Sequence, residues 1–303
     1  LKNMFLKGIY AGKPAIFQLI VLLLLILAGA VFSSLIAMGL FYMIYGLHAD
    51  ITLYPDMMRL LQLISASGHF SFRHWHLRGY VAAIQKNICR SGKCLKEHIA
   101  PHVAQYIFAH SFHQLTGILN KQRIAIFYGT YRKLDEAQEE TAEQLTLKLL
   151  AGEGIIIVFN LIVIAVTAGV TEEFLFRGAL QRVIGKWTRN HHIIIWSAAI
   201  LFSAFHMQFF GFLPRMLLGA YFGYLLYWTR NIWIPVFAHF VNNAFAVISM
   251  SDASLKDNEF ITGDISTQNL LPYTIVAIVA LFFFVRCCQK LKIIRSSIIK
   301  KQF

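Results

Sequence analysis

Charge is what this chain has least of. Only 14% of its 303 residues are charged, 15 Asp and Glu stand against 28 Lys and Arg, and 57% are hydrophobic. With a mean hydropathy of +0.57, this balance excludes an ordinary soluble domain, and the chain is too long for one bundle of four spans. Cysteine is nearly as scarce. The four present give no disulfide framework: Cys287 and Cys288 are adjacent, and the four-residue gap between Cys89 and Cys94 is unlike a zinc ribbon. The His-Glu-x-x-His pattern of zinc proteases is absent, and no inverted repeat of the transporter kind is visible. A cleavable signal peptide is not expected, because the first apolar run is too long and lacks a small-residue site. The net charge of +13 does not point to nucleic acid. Its basic residues collect at the N-terminus, after apolar segments and at the C-terminus, as membrane flanks do.

What the chain does have is long uncharged runs. Ala15 to Gly46 contains no charge over 32 residues, more than the ~20 needed to cross hydrocarbon. Further spans are expected over Gly154 to about Leu180, Ile193 to about Gln208, Ile232 to Met250 and Ile265 to Val285. Met216 to Thr229 is short for a span unless the residues before it extend it, and Gly219 and Gly223 give it a small face for close packing. Basic segments at 181–189 and 286–301, with Arg230, read as cytoplasmic; acidic segments at 135–143 and 252–264 read as outside. The expected fold is an all-α, polytopic membrane helix bundle of about six to eight transmembrane helices with its site in an intramembrane cavity. The expected location is the inner (cytoplasmic) membrane of a bacterial cell, with both termini cytoplasmic.

One run ends in an expensive way. Gly154 to Thr171 carries no charge, and then comes Glu172-Glu173-Phe174-Leu175-Phe176-Arg177-Gly178. A charge near the bilayer centre costs about 2.5–3.5 kcal/mol on insertion scales, so ionisable groups there usually face a polar cavity and have a function. Glu173 and Arg177, four apart, share a helix face and can pair. Glu172 points about 100° away, which leaves one glutamate held by Arg177 and the other free for chemistry. The bland alternative is a helix running into a cytoplasmic loop, with the pair solvated at the interface.

Two later segments weigh against the bland alternative. Phe202-Ser203-Ala204-Phe205-His206 lies in one uncharged run, and His239-Phe240-Val241-Asn242-Asn243 in another. Asn243 is one turn beyond His239, on the same helix face. A single intramembrane histidine is usually a satisfied core residue. Two histidines, an asparagine and a Glu-Glu-x-x-x-Arg on separate apolar segments suit hydrolysis. A carboxylate takes a proton from water, a histidine assists, and a histidine–asparagine pair donates to an oxyanion.

In order, Glu-Glu-x-x-x-Arg, Phe-x-x-x-His and His-x-x-x-Asn resemble the CPBP intramembrane proteases, which include CAAX proteases, bacteriocin-processing enzymes and the eukaryotic Ras-converting enzyme. The resemblance covers roughly 136–247 and includes Phe-Arg-Gly-Ala-Leu-Gln-Arg and His-Met-Gln-Phe-Phe-Gly-Phe-Leu-Pro-Arg-Met-Leu-Leu-Gly, similar to members from the Bacteroidetes group. It implies that Glu172 and His206 activate water, that His239 and Asn243 stabilise the oxyanion, and that Glu173, Arg177 and Phe202 support them. Phe202 has a simpler role as well, packing one turn before His206. The implied function is an intramembrane endopeptidase (a hydrolase) acting on a peptide or membrane-anchored protein within the lipid bilayer, with no nucleic acid partner and no cofactor. Two alternatives stand beside it. One is a zinc-dependent membrane protease using Glu172, His206 and His239. The other is a non-catalytic immunity or scaffold protein whose polar residues act as glue between helices.

The expected organisation is an N-terminal span at 1–50, a variable region at 51–150, a catalytic core at 151–250, and a last span with a basic tail at 251–303. Within the variable region, 68–130 is basic and holds seven of the 12 histidines. Their irregular spacing argues against a metal or heme site and for a basic loop with amphipathic helices. The family pattern lapses across this stretch, as a genuine insert or a pair of compensating frame shifts in the gene would cause. An acidic amphipathic helix is expected over Asp135 to Leu150.

Overall fold

The computed structural model describes residues 12–66, 132–150, 152–208, 211–252 and 268–300, with 255, 258, 259 and 266. The His-rich stretch 68–130, the two cysteines in it, and most of the acidic loop 252–264 lie outside the described residues. Among those described there are eight helices and no strand. We label them α1 (Ala15–Tyr45), α2 (55–66), α3 (Arg132–Leu150), α4 (Ile155–Ile184), α5 (His191–Ala204), α6 (Phe212–Thr229), α7 (Trp233–Ser251) and α8 (Leu270–Lys300). The protein is an all-α helix bundle.

Three of these helices, α1, α4 and α7, are long and apolar enough to cross a membrane, and α5 and the first part of α8 are shorter apolar helices. Helix α1 shows why the environment must be lipid. Its 31 residues rise about 46 Å at 1.5 Å each, beyond the ~30 Å hydrocarbon core. A single stripe, Gln18, Leu22, Ile26, Gly29, Ser33, Ala37 and Phe41, is buried. Leu24, Leu27, Val31, Phe32 and Leu35 on the other faces are more than half exposed. A helix apolar all round, with only one stripe covered, belongs in hydrocarbon rather than water.

Helix α4 is the centre of the bundle. It packs on α7, whose backbone approaches it at Gly169. A Cβ at that position would lie 3.2 Å from the Phe240 nitrogen and 3.3 Å from the Val236 oxygen, so only glycine lets the two helices meet this closely. Two stretches of α4, Leu161–Thr167 and Phe174–Leu180, widen into π-helix. Such turns are concentrated at functional sites because they free carbonyls and re-aim side chains. On its other side, Phe176, Ala179, Leu180 and Val183 join Leu22 and Ile26 of α1 and Ala198 and Phe202 of α5 in one apolar cluster.

Helices α5 and α6 pack closely through Gly219 and Gly223. Added Cβ atoms there would stand 3.0 Å from Phe202 Cδ1 and 2.8 Å from Ile195 Cγ2. The short sixth helix is extended, as its sequence allowed, back to Phe212. Pro214 does not break it. It lies in the first turn, where its missing N–H has no intrahelical partner to lose, and the chain turns earlier, at 205–207. Ser203 Oγ donates to the Phe212 carbonyl at 2.6 Å and ties the two helix ends together.

Arg59 fastens α2 to the bundle. Its Nε donates to Asn160 Oδ1 (2.8 Å) and to the Leu149 carbonyl (3.0 Å), and its Nη1 meets Asp56 at 2.6 Å. Asn160 is fully buried and passes the contact on, donating to the Leu150 carbonyl. One guanidinium thus joins α2, the end of α3 and the start of α4.

Candidate active site

The site is built outward from Glu173. This carboxylate is fully buried in the middle of α4. Its Oε1 accepts from Arg177 Nη1 at 2.8 Å and from His239 Nδ1 at 2.8 Å. Arg177, one turn on, also donates through Nη2 to the Gly219 carbonyl of α6 at 2.8 Å. Its guanidinium lies 4.7 Å from the Phe202 ring and 5.3 Å from the Phe222 ring. The cation is therefore held on two edges by hydrogen bonds and on its faces by aromatic rings, as an arginine deprived of water requires. Phe222 also stacks on the His239 imidazole, with centroids 5.0 Å apart.

Glu172 faces elsewhere. Its side chain is 29% exposed, and its Oε2 lies 3.9 Å from His206 Nε2 and 3.9 Å from His239 Nε2. Both distances exceed a direct hydrogen bond, and each is a spacing that a bridging water can close. The tautomers follow from the far side of each ring. His206 Nδ1 donates to the Phe202 carbonyl at 2.8 Å, and His239 Nδ1 donates to Glu173. In each neutral imidazole Nε2 is then the acceptor, turned toward Glu172. Glu172 Oε2 is buried and has no hydrogen-bond partner among the described residues.

His206 owes its position to the end of α5. The helix closes with tightened bonds, His206 N to the Ser203 carbonyl and Met207 N to the Ala204 carbonyl, and Met207 turns left-handed at φ 53°. The imidazole is thereby left at the mouth of a cavity of about 300 Å³. Glu172, Thr171, Phe176 and His206 line one side of it; Ile26 of α1 and Gln62, Ser65 and Ala66 of α2 line the other.

The sequence places Glu172, Glu173, Arg177, Phe202, His206, His239 and Asn243 in one site. The structure brings the first six into direct or near contact. Asn243 is joined to it through α4: Nδ2 donates to the Ile164 carbonyl at 3.1 Å, in the π-helical stretch, and Oδ1 accepts from Asn242. Four contributors to the site are not marked as such by the sequence. Phe222 carries no motif, Gly219 stands in the sequence only as a close-packing residue, and Gln62 and Ser65 sit in a short apolar piece whose partner is visible only in three dimensions. Among the described residues, no three His, Cys, Asp or Glu side chains are spaced to hold a metal ion.

Residues 154–245 match the family described as type II CAAX prenyl endopeptidase Rce1-like. This segment is similar to the Rce1-like family. A curated relative, the uncharacterized protein YpbD of Bacillus subtilis (strain 168), is 30% identical over 89 residues, covering 28% of this chain and 42% of that protein. The chain therefore spans less than half the length of that relative. No solved structure matches. The Rce1-like segment contains every residue of the Glu172–Glu173–Arg177–His206–His239–Asn243 constellation. The cavity wall formed by Ile26, Gln62, Ser65 and Ala66 lies outside it. The family and the apolar helices together make this a membrane protein.

Proposed function

We propose that this protein is an intramembrane endopeptidase whose general base is Glu172. The supporting observation is that Glu172 and His206 line a cavity of about 300 Å³, with Glu172 Oε2 3.9 Å from His206 Nε2 and 3.9 Å from the buried His239 Nε2. Glu172 takes a proton from a water held against the His206 nitrogen. The water oxygen bonds to the scissile carbonyl carbon, and the carbonyl becomes a tetrahedral oxyanion. Collapse breaks the C–N bond, and the proton held by Glu172 passes to the leaving amine.

The oxyanion falls to His239, with Asn243 beside it; preorganised donors of this kind contribute about 3–4 kcal/mol each in other enzymes. Because His239 Nδ1 already donates to Glu173, a donor role for Nε2 needs both ring nitrogens protonated when the oxyanion forms. Glu173 orients the ring for that purpose, and Arg177 fixes Glu173. Asn243 reaches the same face of α7, spending one N–H on Ile164 and keeping a second. The substrate is a peptide segment of a membrane-anchored protein or leader, admitted between α1, α2 and α4. Residues 151–250 form the catalytic core. The end bearing Arg182, Lys186, Arg189 and Arg230 is cytoplasmic, with both termini on that side of a bacterial inner membrane.

The zinc-dependent reading draws on the same atoms. In its favour, both imidazoles are anchored through Nδ1 and present Nε2 inward, the arrangement of metal-bound histidines. Against it, the carboxylate–imidazole separations of 3.9 Å exceed the roughly 3.3 Å between ligands bound tetrahedrally at 2.0–2.1 Å. The metal-free reading fits the spacing better. The test is cleavage of a library of membrane-anchored peptides by protein reconstituted in liposomes, with Glu172→Gln in parallel. Cleavage that survives Glu172→Gln sinks the assignment.

A further inference from the structure

Asn242 and Asn243 are neighbours in the middle of α7, both half-buried in a mostly apolar helix. Side chains at i and i+1 point about 100° apart and do not face each other. Asn242 nonetheless donates through Nδ2 to Asn243 Oδ1 at 3.0 Å. The bond is therefore not a by-product of helix geometry: one amide is folded along the helix onto the next.

The contact on the other side of Asn243 fixes which of its atoms is which. The Ile164 carbonyl of α4 can only accept, so the atom 3.1 Å from it is Nδ2. Oδ1 is then the end turned to Asn242, and Asn242 must present a donor to it. The bond to Ile164 alone would leave the amide free to swing about that one contact. A second bond, at the other end of the amide, sets its plane. Among the described residues Asn243 makes no other side-chain hydrogen bond, so one N–H of Nδ2 is unspent. The orientation matters because an amide has two unlike ends. Turned one way it offers an N–H to a developing negative charge; turned the other way it offers a carbonyl oxygen, which repels that charge.

We infer that Asn242 is a positioning residue, which aims the unspent N–H of Asn243 at the oxyanion. It acts through Asn243 and need not touch the substrate. The inference rests on the endopeptidase reading given above.

The experiment uses the full-length protein in liposomes and the best-cleaved peptide of the membrane-anchored library. Asn242→Leu keeps the shape of the side chain and removes its donor; Asn242→Ala serves if the leucine variant does not fold. Deleting an oxyanion donor outright lowers kcat about 10²–10³-fold. Asn242→Leu leaves that donor in place but no longer aimed, so kcat should fall about tenfold or more while KM stays within about twofold. In an Asn243→Ala background the same change should lower kcat no further, since no amide is left to aim. An unchanged kcat in the single variant overturns the inference. A loss that persists undiminished in the Asn243→Ala background also overturns it, because Asn242 would then be a packing residue. A second readout needs no turnover. In protein isotope-labelled at asparagine, the Asn243 side-chain NH2 signals are identified by NMR from their absence in Asn243→Ala. Their exchange with solvent should quicken about tenfold or more in Asn242→Leu, and unchanged exchange overturns the inference. Wild type that cleaves nothing in the library counts against the endopeptidase reading and takes the oxyanion role with it. Wild type that cleaves while Asn242→Leu keeps its full kcat removes this inference alone.

Discussion

Glu173 and Arg177 form an ion pair at 2.8 Å within one helix, with the carboxylate fully buried and the guanidinium nearly so, and the same carboxylate oxygen receives His239 at 2.8 Å. A side chain on α7 is thus oriented by one on α4, which is in turn fixed by a third. Removing Arg177 leaves a buried carboxylate with its charge uncompensated. Arg177→Ala should cost about 3–5 kcal/mol, in line with other broken buried pairs. Arg177→Lys should recover only part of this, because an ammonium cannot reach Glu173 and the Gly219 carbonyl with a planar fork. Thermal unfolding in detergent, followed by circular dichroism, checks both.

Glu172 is the separable member of the pair. It is partly exposed and makes no short hydrogen bond, so Glu172→Gln should leave stability within about 1 kcal/mol. Loss of a general base lowers catalysis by about 10²–10⁴-fold. Cleavage in liposomes and melting temperature, measured on one preparation, should therefore diverge. If they fall together, Glu172 is structural.

Metal dependence has its own measurement. The metal-free reading expects cleavage to survive prolonged exposure to a strong chelator, and expects less than one equivalent of zinc by elemental analysis of purified protein. Loss of activity on chelation with recovery on added zinc would move Glu172, His206 and His239 from water-handling groups to ligands.

Gly169 sets the distance between the two halves of the site. With backbone atoms of Phe240 and Val236 3.2 and 3.3 Å from where a Cβ would stand, neither neighbour can rotate away. Gly169→Leu should force α4 from α7, destabilise by about 1–3 kcal/mol, and abolish cleavage by drawing Glu172 away from His239. Gly39, whose Cβ would meet nothing within 4 Å, is the contrasting position, and Gly39→Leu should be tolerated.

Arg59 is predicted to govern the cavity wall. Arg59→Met removes the bonds to Asn160 and Leu149, leaving Asn160 buried with an unused acceptor, at about 1–3 kcal/mol. The released α2 carries Gln62 and Ser65, so KM should rise more than kcat falls. Cysteine cross-linking between Ser65 and α4 would report the loosening directly.

The sequence alone determined what is local and repetitive. Uncharged runs located the membrane helices, because hydrocarbon tolerates few charges. Helical periodicity paired Glu173 with Arg177 and set Glu172 apart, because both facts concern neighbours on one helix. The order of three short motifs pointed to the family. What only the tertiary structure decided is how the helices are rotated against each other. That Glu173, and not Glu172, receives His239 depends on how α7 is seated on α4, which the close contact at Gly169 sets. Asn243 of α7 meets the Ile164 carbonyl in one of the π-helical stretches of α4. Arg59 finds Asn160 across 101 positions, and no periodicity spans that interval. Local chemistry is written in spacing; the meeting of distant side chains is settled by packing, where a single glycine or an extra residue in a turn changes which groups face each other.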